Sequence, residues 1–155
     1  MISGMGEHVR QKRTHQAFTA EAPAPLMKGL LLRCCPEEVL LARRTIRQTL
    51  SGYRRDVVEL VEQCASETVT NAIVHSDSKS DGETGTIMLV IVELPEKIRI
   101  EVIDDGAKDS APQIDAREDI EKEGGRGLFI VETLADGWGT HVDEHGRNVW
   151  FEVHV

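Results

Sequence analysis

Between about Asp56 and His75, the apolar residues Val57, Val58, Leu60, Val61, Cys64, Ala65, Val69, Ala72 and Ile73 recur at the spacing of a helix with a wide buried face. Residues four apart on a helix differ by only about 40° around its axis. Glu67, Asn71 and His75 therefore stand in one row, on the side of Val57, Leu60 and Cys64. Polar groups in or at the edge of an apolar face cost a few kcal/mol unless something meets them. Two readings follow. Internal partners satisfy Glu67 and Asn71, or the row lines a ligand cavity. In the second, Asn71 offers a carbonyl oxygen to a hard cation such as Mg²⁺, which takes protein oxygens, waters and phosphates. Glu67, one turn earlier, then sits where it can accept a proton or orient a nucleophile.

The 155 residues suffice for one domain with a real core. Residues 1 to 27 show no sustained periodicity and are interrupted by Pro23 and Pro25, so they read as a disordered or loosely packed tail, leaving 28–155 as the domain. Leu30 to Cys34 reads as a first strand. Pro36-Glu37-Glu38 opens a helix, because proline suits the first position and acids suit the N-terminal dipole. That helix carries Val39, Leu40, Ala42, Ile46 and Leu50, with Arg43, Arg44 and Arg47 on its exposed side, and ends at Ser51-Gly52. After the central helix come a polar loop (76–85), two strands (Thr86–Leu94 and Lys97–Asp104) joined at Pro95-Glu96, a long acidic segment (107–123), a further helix, and a final hairpin turning at His145-Gly146. Strands and helices fall in blocks rather than in strict alternation. The fold class is therefore α+β, a two-layer sandwich of a mixed, mainly antiparallel sheet and helices.

Net charge of −9 argues against direct nucleic-acid binding. Residues 1–55 nevertheless hold 10 Lys/Arg against 4 Asp/Glu, which reads as a solvated basic face or as a partner surface. No apolar run approaches the roughly 20 residues that span a bilayer, and the N-terminus carries no apolar secretory segment, so a cytoplasmic location is expected. Cys34, Cys35 and Cys64 include no CxxC pair and are expected reduced and packed. His141 and His145 flank a turn and read as solvent-exposed rather than as metal ligands. Trp138 and Trp150 read as core or sheet-packing residues.

Two further stretches carry chemistry. The second strand runs into Asp104-Asp105-Gly106. That is a tight turn, or a place where Gly106 lets the backbone approach a flat ligand while Asp104 accepts a hydrogen bond from an exocyclic amine. Gly124-Gly125-Arg126-Gly127-Leu128 leads directly into a helix. It is a flexible linker, or a phosphate cradle of free backbone N–H groups at a positive dipole end, with Arg126 as a fixed cation. Neither GxxxxGK[ST] nor a GxGxxG after the first strand is present.

Glu67-xxx-Asn71, Asp104-x-Gly106 and Gly125-x-Gly127 before a helix, in this order, resemble the ATP-binding fold shared by gyrase, Hsp90, histidine kinases and MutL. The resemblance is nearest to bacterial anti-sigma-factor serine/threonine kinases and their actinobacterial single-domain relatives, and it covers about residues 28–155. It implies the histidine-kinase-like ATPase fold, with ATP and Mg²⁺ as cofactors. Asn71 would coordinate Mg²⁺ and Glu67 would act as general base toward an attacking hydroxyl. Asp104 would recognise the adenine amino group, with Gly106 giving the base room. Gly125, Arg126, Gly127 and Leu128 would hold the phosphates, and 107–123 would form the ATP lid. The implied function is a regulatory kinase that phosphorylates the acceptor Ser of an antagonist protein in a partner-switching system, with a sigma factor as a second partner and a homodimer as its assembly. The alternatives are a non-catalytic ATP-sensing module controlling a transcription regulator, and a plain ATPase domain. The sequence departs from the family pattern at Lys108, in place of the second glycine of Asp-x-Gly-x-Gly, and at Asn148, in place of a Thr on the last strand.

Overall fold

Strict alternation along the strands decides which way the sheet faces. In the computed structural model, which describes residues 24–75, 85–104, 126–144 and 146–155, strand β3 (Lys97–Asp104) alternates half-buried and buried residues without a break. Ile98, Ile100, Val102 and Asp104 point to one face, and Lys97, Arg99, Glu101 and Ile103 to the other, as a period of two requires. The other strands are β1 (Leu26–Arg33), β2 (Thr86–Glu93), β4 (Gly137–Asp143) and β5 (Gly146–His154). They form one sheet in the order β1-β2-β3-β5-β4. Every described pairing is antiparallel, so the mixed component expected from the sequence is not found among these residues. Strand β1 begins at Leu26, inside the stretch assigned to the tail, and ends one residue earlier than expected. Residues 1–23 lie outside the described ones.

Among the described residues three helices cover the inner face: α1 (Glu38–Thr49), α2 (Arg55–His75) and α3 (Arg126–Leu134). The core forms between them and the sheet, with Phe151, Leu32, Ile46, Leu89, Ile100 and Val61 fully buried. The two-layer α+β sandwich expected from the block order of elements is what the chain forms. Helix α2 supplies most of the helical contribution, from Val57 to Ile73, on the face that periodicity marked. Thr68, wholly buried on that face, donates its hydroxyl to the Cys64 carbonyl at 2.8 Å, so its polar group is met within the helix. Cys34 and Cys64 are buried free thiols. Burial, assisted by the nearby Glu67 carboxylate, pushes Cys64 up to about 11, which keeps it a thiol at neutral pH. No described helix is long and apolar enough to cross a membrane.

The outer face is polar over β3, β5 and β4. Arg99 donates to Glu101 at 2.7 Å and to Glu152 at 3.1 Å, while its guanidinium lies 4.1 Å from the Trp150 ring centroid. Trp150 lies flat across Gly139, where an added Cβ would come within 2.8 Å of the indole. Trp138, by contrast, is partly buried against the core. Both tryptophans are sheet-packing or core residues.

Helix α1 is fastened to α2 by a buried acid. Glu62, 4% exposed, accepts hydrogen bonds from Arg43 Nε at 2.8 Å and from Arg47 Nη2 at 2.7 Å. Burial disfavours its charge, but the two guanidinium groups outweigh that and hold the carboxyl below its ordinary range. The arginine side chains are 48% and 67% exposed, so removing the acid strands no buried cation, whereas removing the arginines strands a buried anion. Glu62→Gln is expected to cost about 1 kcal/mol and Arg43→Met/Arg47→Met about 3 kcal/mol in urea unfolding at pH 7. A carboxyl lowered on folding contributes stability that is complete above its unfolded value, about pH 4.3, and lost as pH falls through the folded one. Glu62→Gln should therefore flatten the acid-side decline in stability.

Candidate active site

Helix α2 presents Glu67, Asn71 and His75 half-buried at the border of its apolar face. The row drawn from four-residue spacing therefore exists, at the edge of the core rather than within it. Helix α3 lies against α2 at Glu67. A Cβ placed on Gly127 would sit 2.9 Å from Glu67 Oε2 and 3.5 Å from Glu67 Cβ. Any side chain at 127 must displace the Glu67 carboxylate, so glycine here lets that carboxylate lie against α3, a role beyond that of a flexible hinge. Leu128, 5% exposed, anchors the same turn in the core. The first turn of α3 also carries backbone N–H groups with no partner inside the helix. These stand beside Glu67 because Gly127 does.

On its other side Glu67 borders an open groove of about 440 Å³ between α1 and α2, lined also by Arg43, Arg47, Glu59, Glu62, Gln63 and Ser66. Asn71 and Asp104 do not line this groove among the described residues. Glu67 accordingly touches two compartments, the α3 turn and the groove. Asn71 follows one turn later on the same helix, so a carbonyl oxygen and a carboxylate stand side by side. That donor set suits a hard divalent cation.

Asp104 closes β3 on the inner, helix-covered face and is 3% exposed. Arg147 of β5 is its cross-strand partner, with Nε and Nη2 each 3.4 Å from Asp104 Oδ2. Gly106, Gly125, Lys108 and the 107–123 lid lie outside the described residues. Arg126 opens α3, and its side chain is likewise outside them. Asn148 stands away from the place the resemblance implies. In β5 it shares the parity of Trp150 and Glu152, on the outer face, and its Nδ2 donates to Glu101 Oε2 at 2.9 Å. It cannot stand beside Asp104, so the adenine-side change inferred at this position does not arise there. His141 is exposed, its Nε2 3.5 Å from Asp143 Oδ2, and His145 lies outside the described residues.

Arg147, which motif spacing passes over, is paired with the buried Asp104. Its signal was available as phase, since 147, 149, 151 and 153 share one face of the strand, and three of these are apolar. A charge continuing a buried apolar phase needs a buried partner.

Comparison with known proteins agrees with this fold. Residues 33–153 match the family described as the histidine kinase-like ATPase domain. The serine-protein kinase RsbW of Listeria monocytogenes is 30% identical over 142 residues, covering 84% of this chain and 82% of that protein. The serine-protein kinase RsbW of Staphylococcus aureus is 34% identical over 111 residues, covering 64% and 69%. Among solved structures, the RsbU and RsbW domains of a Mycobacterium tuberculosis protein align with a TM-score of 0.61 at 20% identity, over 84% of this chain and 32% of that one. The latter likeness concerns the fold.

The Gly127 contact yields a test of the site that does not touch a polar residue. In Gly127→Ala the new methyl must displace the Glu67 carboxylate, the free end of a flexible side chain. The expected result is a nearly unchanged melting temperature, retained nucleotide binding by fluorescence titration, and catalytic turnover lowered by about tenfold or more, in line with the sensitivity of such steps to misplacement.

Proposed function

The chain belongs to the histidine kinase-like ATPase domain family, and from that membership we propose that it is an ATP-dependent protein serine/threonine kinase of the anti-sigma-factor type, acting in a partner-switching system. The observation that carries this reading is the position of Glu67. Its carboxylate meets the glycine-led start of α3 on one side and an open groove on the other. A phosphoryl donor held at α3 and an acceptor hydroxyl entering from the groove then converge on one carboxylate.

In this reading the first-turn N–H groups of α3, with Gly125, Arg126, Gly127 and Leu128, hold the phosphates, and Asp104 accepts a hydrogen bond from the adenine amino group, with Gly106 leaving room for the base. Asn71 offers its side-chain oxygen to Mg²⁺, which when bound supplies charge neutralisation for phosphoryl transfer. Glu67 takes the proton of an acceptor Ser hydroxyl on the antagonist protein. The Ser oxygen bonds to the γ-phosphorus as the bond from that phosphorus to the β,γ-bridging oxygen breaks, and ADP leaves. The relatives named serine-protein kinase support the acceptor class. The exposed arginines of α1 offer a surface for the antagonist or for a sigma factor, and the active assembly is a homodimer.

Incubation with γ-labelled ATP, Mg²⁺ and candidate antagonists tests the proposal through appearance of phosphoserine. Glu67→Ala should retain ATP binding while transfer falls by about a hundredfold or more, the usual contribution of a positioned base. Unchanged transfer would remove Glu67 from the mechanism. Absence of transfer by the native chain, with partner exchange still dependent on ATP, would instead make it a non-catalytic ATP sensor.

A further inference from the structure

The outward face of the sheet changes character between β2 and β3. From 27 to 31 on β1 and from 88 to 92 on β2, the outward residues are Met27, Gly29, Leu31, Met88, Val90 and Val92, none of them charged. The register sets Leu31 beside Met88. Met27 is 70% exposed, Leu31 60% and Met88 37%, so the edge of the sheet carries a contiguous apolar patch. The described helices pack on the opposite face, and no described element lies over the patch. Large apolar side chains left together in water mark an interaction site. The free edge of β1 is a poorer candidate than its face. Lys28, exposed on the inward phase of that strand, guards the edge against pairing with another strand.

Charge and area limit what fits such a face. The chain carries a net charge of −9, so two copies repel unless they meet where neither presents like charges to the other. The patch meets that condition. Beside it, β3 and β5 turn outward Lys97, Arg99, Glu101 and Glu152, two of each sign. A twofold axis lying across the strands sets apolar half on apolar half. It also reverses the order along each strand, which brings unlike charges of the mixed half within reach. Five strands of about eight residues give a face of roughly 27 by 24 Å, about 650 Å² in outline. Accessible area exceeds outline on a pleated face, and a standard interface takes about 800 Å² from each partner. We infer that a second copy of this chain packs sheet on sheet against the outward face, with Met27, Leu31 and Met88 as the apolar anchor. The inference rests on the homodimer assigned to the proposed kinase and places its interface. Glu67, the groove and the arginines of α1 then stay open on the helix side, to nucleotide and to partner protein.

The experiment is sedimentation equilibrium of the full chain over a range of concentrations, with ATP binding followed by fluorescence titration on the same samples. The native chain is expected at twice the mass of one copy. Leu31→Glu and Met88→Lys should each weaken dimerisation about thirtyfold or more, the effect of an unpaired charge at an interface anchor. Leu40→Glu, the same change at a residue 69% exposed on α1, should leave the dimer intact. A native chain that is monomeric throughout overturns the inference, whether the face is then covered by residues 1–23 or by a different protein. A dimer that survives both Leu31→Glu and Met88→Lys overturns it too, as does one that only Leu40→Glu dissociates. If either variant on the sheet fails to fold by far-UV circular dichroism, Met27→Lys, at the most exposed residue of the patch, decides in its place. A dimer with no ATP binding defeats the kinase reading and leaves the interface standing. A monomer that binds ATP and transfers phosphate defeats the interface alone.

Discussion

Where α3 meets α2 its residue is a glycine, and the nearest atoms are those of the Glu67 side chain. The missing side chain at Gly127 lets the Glu67 carboxylate rest against the first turn of α3. A helix start offers unpaired N–H groups and a positive dipole end, while a carboxylate offers the opposite charge and a proton acceptor. Holding the two in contact brings an anion-binding feature and a base into one site, and Leu128, buried in the same turn, fixes the helix side of that contact. The proposed chemistry depends on that contact more than on any single hydrogen bond.

Around it two buried acids are each paired with arginine from another element. Glu62 joins α1 to α2 through two arginines, and Asp104 joins β3 to β5 through Arg147. In both, the acid is the sealed partner and the arginine the accessible one. Arginine suits this arrangement because its long apolar stem lies along the protein while the planar head stays hydrated. The acids thus fix position, and the cations remain able to meet something else.

Much of this was legible in the residues. Period 3.6 marked α2 and its buried face, and period two marked β3. A two-residue joint at Pro95-Glu96 gave the β2–β3 hairpin. Glu67 and Asn71 were conspicuous because oxygen-bearing side chains recur on an apolar phase. Other features follow from pairing rather than from pattern. Strand β1 begins at Leu26 because an edge strand needs only one neighbour, and its exposed Leu26 and Met27 show no alternation to read. Asn148 was misplaced for the same reason, since one residue of register in a strand exchanges the two faces. Arg147 was hidden until the β3–β5 register set it opposite Asp104.

Trp150 and Gly139 face each other across β4 and β5, the indole filling the space that any side chain at 139 would need. The two positions are therefore not free to vary independently. As long as an indole occupies 150, evolution can admit only hydrogen as the substituent at 139, and a lineage that enlarges 139 must first shrink 150. Such a pair should drift through sequence space as a unit, leaving a covariation mark on the sheet face opposite the site.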